Sequence, residues 1–466
     1  MKPASVLVLT ILFAAFSSAQ IRPGPSAGQN PFLGSVSSGS AASGELALSL
    51  NDAIDRGLKS NLGAVLASQG ERAARAQRLE ALSALLPNLS ASLAESSQQV
   101  NLAAFGFKGL PGVAPIVGPF SIIDARAHVS VPILDLRALR NTRAGSAGQK
   151  SAEYSYLDAR DTVVQVVTLL YLQTVTGSSR IDVVRAQVAT AQALYDQAVD
   201  FKQAGTVPAI DVLRARVELD AEKQQLIFFE NEFEKQKLML ARIIGLPDGQ
   251  AIRLTDPAPS APPPDLGIEA AIAQAYDGRM DFKSAASRVE AADLRHRAAE
   301  AGRLPSAVFR ADYGAIGPAP DNAHGTYSAA AGLNIPLFQG GRVKAETLAA
   351  EAELEQRRAE LADLRGRIAA EVRTSFLDLS AANRQAEVAK EAMSLADQQV
   401  IQARDRFAAG VTNNLEVVQA QQALAAANQN YISSLLAYNT AKVALARAMG
   451  GTENRTKALL WGTKLP

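Results

Sequence analysis

Residues that could perform chemistry are few and widely separated in this sequence. The 466-residue chain contains no cysteine, and its three histidines, His128, His296 and His324, lie at spacings that match no metal-binding motif. The motifs HExxH, GxxxxGKS/T and GxGxxG, which mark zinc peptidases, phosphate-binding loops and dinucleotide sites, do not occur. We therefore expect a protein that is not an enzyme and has no cofactor or metal site, with its histidines on the surface or facing a water-filled space.

Composition gives no sign of a nucleic-acid partner, because 47 basic and 46 acidic residues leave a net charge of +1. Near the N-terminus, Lys2 is followed by an apolar run from Val6 to Phe16 and then by small residues. This pattern is typical of a secretory signal, here with cleavage after Ala19. The apolar run is too short for a membrane anchor, which needs ~20 residues. We expect an exported chain without a helical membrane span.

The chain contains the same pattern twice. Gly205 corresponds to Gly410 and Asp211 to Glu416, both at an offset of 205 residues. Upstream, the segments SLNDAIDRGLKSN and GIEAAIAQAYDGR correspond at an offset of 218 residues. One duplicated unit therefore spans nearly the whole mature chain, and the change of offset indicates a longer loop in the first copy.

Long helices are predicted in both copies. No proline follows Pro336 until after Gly450, and this segment is rich in Ala, Glu, Gln, Arg and Leu, which favour helices. At 1.5 Å per residue, the first helix of each hairpin is ~100 Å long and the second ~54 Å, which is too long for a compact domain. Apolar residues three and four apart indicate a coiled-coil seam or ordinary packing within a hairpin. The predicted helices are 50–84, 137–204, 209–244, 268–303, 342–408 and 413–449.

Four segments show the alternation of a strand with one apolar and one polar face. In the clearest of them, Ala125, Ala127 and Val129 face one way, and Asp124 and Arg126 face the other. The predicted strands are about 88–103, 121–133, 305–314 and 325–336.

Such strands on an exported chain fit a transmembrane β-barrel with lipid outside and water inside. The alternative is a half-buried sheet covered by the chain's own helices. The helices favour the barrel, because they are too long to fold back over so small a sheet. Four strands cannot close a barrel, which needs about eight, and open strand edges are not tolerated in lipid. The predicted fold class is mainly α with a membrane β-barrel assembled from several copies of the chain.

The order and duplication of these motifs resemble the TolC family of outer-membrane efflux channels. The similarity covers residues 48–450 and includes IPLFQGGR at a strand-to-helix crossing and AG-x5-D/E-V at the helix turns. The first copy has PILDLRALR in place of the glycine-bearing crossing. The resemblance implies a homotrimer with a twelve-stranded barrel in the outer membrane and a helical tunnel in the periplasm. It also implies a periplasmic adaptor and an inner-membrane pump as partners, with passive export of small molecules such as drugs or metals, or of secreted proteins.

The resemblance further assigns roles to the two turns. The implied periplasmic entrance is narrowed by Glu416, Gln419, Phe407 and Thr412, and the implied adaptor-docking tips are Gly205, Thr206, Val207, Asp211, Gly410 and Val411. Gln419 stands where the family has a second acid, so any cation selectivity should be weaker. Phe407 lacks the hydroxyl, and Thr412 the charge, of the family's closed-entrance latch.

Each of these residues also has a simpler interpretation. Glu416 and Asp211 lie in the first turn of a helix, where an acid stabilises the helix dipole by ~0.3–1 kcal/mol in any protein. Thr412 or Asn413 could cap the same helix. Gly205 and Gly410 could serve only as left-handed residues at the ends of helices. The sequence leaves both interpretations open.

The rival class is a periplasmic adaptor or coiled-coil scaffold protein, which carries one hairpin between β domains. Two full hairpins and four amphipathic strands argue against it. The predicted divisions are a signal at 1–19, a flexible segment at 20–47, a first repeat at 48–245 with its hairpin at 137–244, a proline-rich linker at 246–267, a second repeat at 268–450 with its hairpin at 342–449, and a tail at 451–466.

Overall fold

The computed structural model describes residues 30–37, 39–41, 44–106, 114–412 and 414–462. The expected signal at 1–19 and the candidate cap Asn413 lie outside the described residues. Within the described ranges, every helix is too short or too polar to cross a membrane.

The helices include two of about 100 Å, which are the first arms of two hairpins. In each hairpin the long arm packs against a return helix of about half its length. The proline-free segments explain these lengths, because nothing in them interrupts the backbone hydrogen bonds. The helices are α1 (Leu50–Ser60), α2 (Leu62–Ser83), α3 (Leu136–Gln203), α4 (Ala209–Ile243), α5 (Ile268–Gly278), α6 (Met280–Glu300), α7 (Arg342–Ala408), α8 (Asn414–Met449) and α9 (Thr452–Trp461).

Four long strands form one antiparallel sheet at one end of the helices. The strands are β1 (Leu46–Leu48), β2 (Asn88–Asn101), β3 (Ile116–Leu134), β4 (Ile252–Leu254), β5 (Ser306–Gly317) and β6 (His324–Asn334). The order in the four-stranded sheet is β2, β3, β5 and β6, so β2 and β6 are its edges. The two short strands, β1 and β4, form a separate parallel pair.

The register of the four-stranded sheet gathers apolar side chains on one face. Ala127 lies opposite Ala91 on one side and Tyr313 on the other, and Tyr313 lies opposite Tyr327. Because partners across a sheet point to the same face, these side chains form a continuous apolar surface. Tyr313 is 73% exposed and Tyr327 79% exposed in the single chain. The apolar face is therefore uncovered by the chain's own helices.

The opposite face of the same sheet is polar and internally paired. The Arg126 guanidinium forms ion pairs with Asp124 and, at 3.2 Å, with Asp312 on the neighbouring strand. The Ser92 hydroxyl lies 3.0 Å from Nε2 of His128. The alternation predicted from sequence thus corresponds to two chemically different faces.

The helices predicted at 50–84 and 268–303 are each broken once, which corrects the sequence prediction. At the first break, the buried Asn61 accepts a hydrogen bond from the Gly63 N–H (2.9 Å) and donates one to the Phe32 carbonyl (2.8 Å). At the second, the buried Arg279 forms ion pairs with Asp281 (2.7 Å) and Glu371. Each break thus combines a local contact, to Gly63 or Asp281, with a long-range one, to Phe32 or Glu371.

The region where residues 46–48 and 252–256 meet α3, here called the waist, is more ordered than its glycine- and proline-rich sequence predicts. Leu46–Leu48 pairs with Ile252–Leu254, so strands occur in both the predicted flexible segment 20–47 and the predicted linker 246–267. The buried Tyr171 hydroxyl has two acceptors within hydrogen-bond distance of its single proton, the Leu48 carbonyl (3.0 Å) and the Asp256 carboxylate (3.0 Å). A long helix of the first hairpin is thus hydrogen-bonded to both segments.

Residues 452–461 form a helix within the segment predicted as a C-terminal tail. Leu459 and Leu460 of this helix are buried. Its first backbone N–H, that of Thr452, donates to Asp161 on α3 (3.1 Å). This part of the predicted tail is therefore docked on the waist.

Polar side chains of α8 hold the proline-rich segment after β4. The Tyr438 hydroxyl donates to the Ala261 carbonyl (3.1 Å), and the Asn439 amide donates to the Pro259 carbonyl (2.9 Å). The fully buried Lys442 ammonium also donates to the Ala261 carbonyl and lies 4.1 Å from the centre of the Tyr438 ring.

Burial of Lys442 predicts a rise in stability with pH. Loss of water around the ammonium lowers the pKa of Lys442 to about 8, below the value of ~10.4 in an unfolded chain. Between these two values the unfolded state binds more protons, so raising the pH favours the folded state. The thermal midpoint of unfolding should therefore rise between pH 8 and 10, relative to that of Lys442→Met. Lys390→Met, at an exposed site on α7, should behave like the parent, and an unchanged pH slope in Lys442→Met would contradict the prediction.

Candidate functional site

The turn between α3 and α4 lies at the end of the first hairpin. Gly205 has a φ of +74°, a conformation that residues with a side chain rarely adopt. The Gly205 N–H donates to the Lys202 carbonyl (3.0 Å), and the Thr206 N–H donates to the Phe201 carbonyl (2.9 Å). These two bonds form a Schellman motif, which satisfies the last carbonyls of α3.

The turn between α7 and α8 repeats this geometry. Gly410 has a φ of +70°. Its N–H donates to the Phe407 carbonyl (3.0 Å), and the Val411 N–H donates to the Arg406 carbonyl (2.9 Å). The duplicated AG motif is therefore a duplicated helix ending that needs glycine, as the simpler interpretation held. That interpretation is compatible with a docking role, since neither glycine is covered.

The residues predicted at the docking tips differ in exposure. Gly205, Thr206, Gly410 and Val411 are exposed, and Val207 is half-buried. Asp211 is buried, and its carboxylate lies 3.2 Å from Arg214 in the first turn of α4. The exposed surface of the tips is thus formed by the glycines and their neighbours, and Asp211 lies beneath it.

Glu416 lies in the first turn of α8 and is paired across the turn. Its carboxylate is 3.2 Å from the Arg406 guanidinium in the last turn of α7. The Thr412 hydroxyl donates to the other carboxylate oxygen. Sequence reasoning missed Arg406, although a basic residue in the last turn of a helix is a recognisable signal. The charge of Glu416 is therefore partly compensated within the chain.

Phe407 packs between the two hairpins. Its ring centre lies 5.8 Å from that of Phe201 on α3, and its side chain is buried. The apolar cluster around it also contains Leu194, Val400, Ala403, Val417 and Ala420. Near this cluster, the Gln422 amide of α8 donates to Glu218 on α4 (2.8 Å).

Of the four predicted entrance residues, Gln419 is exposed, Glu416 and Thr412 are half-buried, and Phe407 is buried.

The chain thus combines two long helical hairpins that end in matched turns with a sheet that has one apolar and one polar face. The family described as "Outer membrane efflux protein" matches residues 59–246 and 271–451. The chain belongs to this family, and the resemblance inferred from its sequence is confirmed. An outer-membrane location and a role as an exit duct for efflux follow from that membership.

Individual relatives are similar over most of their length. The pyoverdine export outer membrane protein OpmQ of Pseudomonas aeruginosa is 26% identical over 84% of this chain and 82% of its own. The toluene efflux pump outer membrane protein TtgF of Pseudomonas putida is 25% identical over 65% of each chain. The CmeC outer membrane channel of Campylobacter jejuni superposes with a TM-score of 0.75 at 19% identity, over 92% of this chain and 94% of its own. The shared fold confirms the predicted class of helical hairpins with a small set of strands.

Proposed function

We propose that three copies of this chain form a passive exit duct. Their sheets close a twelve-stranded barrel in the outer membrane, and their hairpins form a periplasmic tunnel that docks onto an adaptor and an inner-membrane pump. The sheet is the observation that carries this proposal. Its apolar face is uncovered, and its edge strands β2 and β6 have no further partner in the described part of the chain. In lipid such edges must be paired, and neighbouring copies supply the pairs.

The mass of the assembly tests this proposal. Three chains of 49.1 kDa, less their export signals, give about 140 kDa for a closed cyclic trimer. Light scattering of detergent-solubilised protein, with the detergent contribution subtracted, should return this mass from the outer-membrane fraction. A mass near that of one chain would contradict the trimer.

Small molecules are the proposed cargo. Relatives of this chain are named for pyoverdine export and for toluene efflux. Such different cargoes on one fold support a duct that performs no chemistry itself, with selection left to the pump. Cells that lack the chain should accumulate pump substrates, and the intact chain should restore their export.

We also assign the periplasmic entrance to the region of Glu416 and Gln419. In a trimer, three copies of each would surround one axis. Two fully charged Glu416 carboxylates that lie ~6 Å apart would repel by ~2.8 kcal/mol at an effective dielectric of ~20. The ion pair of Glu416 with Arg406 reduces this repulsion and makes a ring of three acids easier to form.

This assignment predicts the ion selectivity of the duct. In planar bilayers, Glu416→Gln should lower the cation-to-anion permeability ratio, and the change should shrink as salt rises and screens the charges. Gln419→Asp should raise the ratio, because it adds an acid at an exposed site one turn further along α8. Glu234→Gln, on α4 and remote from the turns, is the matched control. Unchanged selectivity in both entrance variants would leave Glu416 as a helix-start acid.

A further inference from the structure

A cavity of about 270 Å³ lies between the two hairpins, on the side of the Phe201–Phe407 contact that is farther from the turns. All four long helices line it, including Gln187 of α3, Glu222 of α4, Arg404 of α7 and Leu424 of α8. Because both hairpins contribute, a molecule bound here would contact both of them at once.

The charged lining of the cavity is mainly acidic. Glu218 and Glu222 lie one turn apart on the same face of α4, and Asp397 of α7 faces the same space. Among the described residues that line the cavity, Arg404 is the one with a basic side chain. Among the described residues, no ion pair within 4 Å joins Arg404 to these carboxylates, so their negative charge is not locally compensated.

Buried polar groups in the lining lack partners. Glu222 is 9% exposed, and its Oε2 atom has no hydrogen-bond partner within the described part of the chain. The same holds for both polar atoms of the Gln187 amide and for Nε of Arg404. Burial raises the pKa of Glu222, and the nearby Glu218 raises it further. Unpaired buried groups are costly, so their concentration at one cavity makes it a candidate site for a polar molecule.

We propose that this cavity is a binding site for a small aliphatic ammonium compound that joins the two hairpins. The carboxylates of Glu218 and Glu222 supply acceptors for an ammonium group, and the Gln187 amide supplies a further carbonyl. Val183, Val400 and Leu424 provide an apolar surface for a short carbon chain. A metal ion fits less well, because no cluster of three potential metal ligands occurs among the described residues. The site does not depend on the proposed export function.

Isothermal titration of hexane-1,6-diammonium into the purified full-length protein in non-ionic detergent tests this site. We expect saturable binding of one molecule per chain. Hexane-1,6-diol has the same length without charge and should bind at least tenfold more weakly. Glu222→Gln should also weaken diammonium binding at least tenfold. Glu230→Gln, on the same helix and paired with Arg185 outside the cavity (2.9 Å), should bind as the parent does.

The absence of saturable diammonium binding, or equal affinity for the diol, would overturn the proposal. So would undiminished affinity in Glu222→Gln with a thermal midpoint equal to that of the parent. If Glu222→Gln fails to fold, Gln187→Leu provides a second test, because it removes the unpaired amide and leaves both acids in place. Equal affinity of the parent for magnesium chloride would also overturn the assignment to an organic cation.

Discussion

Replacement of Ala127 with arginine should prevent the chain from accumulating as a trimer in the outer membrane. Ala127 lies on the apolar face of the sheet, between Ala91 and Tyr313. If this face contacts lipid, a charge near the bilayer midplane costs ~2–4 kcal/mol per chain, and each trimer carries it three times. Arg126→Ala should be tolerated, because Asp124 and Asp312 would then face water. The measurement is the amount of trimer in the outer-membrane fraction.

Adjacent residues of β6 offer a matched test of the same idea. Ala329 lies opposite Ala311 on the apolar face, and Ser328 lies opposite Asp312 on the polar face. Ala329→Arg should reduce the trimer strongly, whereas Ser328→Arg should not, since it places a positive charge beside a carboxylate. Equal sensitivity at the two positions would indicate a sheet buried on both faces and would contradict a lipid-facing surface.

Gly410→Glu should abolish export while leaving the folded trimer in the membrane. Gly410 is exposed, and no heavy atom lies within 4 Å of the position that a Cβ would take. The expected structural cost is therefore the left-handed backbone alone, ~1–2 kcal/mol. A bulky charge at the tip, in contrast, would stand between the tunnel and an adaptor. Export of a pump substrate from living cells and the amount of trimer are measured together.

Gly410→Asn is the matched control, because asparagine tolerates the left-handed conformation and adds no charge. It should retain export. Gly205→Glu at the first turn, where φ is also positive and the space is also open, should act as Gly410→Glu does. Loss of the trimer itself in the glutamate variants would mean that the glycines serve only to end the helices.

The long helices and the strand faces could be predicted because local sequence determines them. Absence of proline fixes the hairpin arms, and strict alternation fixes which side of β3 is apolar. The breaks at Asn61 and Arg279 could not be predicted. No proline marks either position. Besides its local contact, each side chain has a partner far along the chain, Phe32 for Asn61 and Glu371 for Arg279, which the sequence does not show.

The turns were predicted only in part, for a similar reason. The AG motif identifies where each helix ends, because glycine alone adopts the required backbone conformation at little cost. The partners of the side chains depend on how the hairpins come together. The contact of Phe407 with Phe201 and the ion pair of Glu416 with Arg406 are examples. Their effect on an entrance stays a prediction.

The docking of helix α9 on α3 limits when the chain can finish folding as it emerges. Thr452 of α9 binds Asp161 of α3, and β4 pairs with β1 across some two hundred residues. Contacts between such distant parts of a chain form only after the intervening segments are available, and they form slowly. A chain that folds as it emerges from its N-terminus therefore cannot complete these contacts until residues 452–461 have emerged. A precursor that stops before Thr452 would lack this closure.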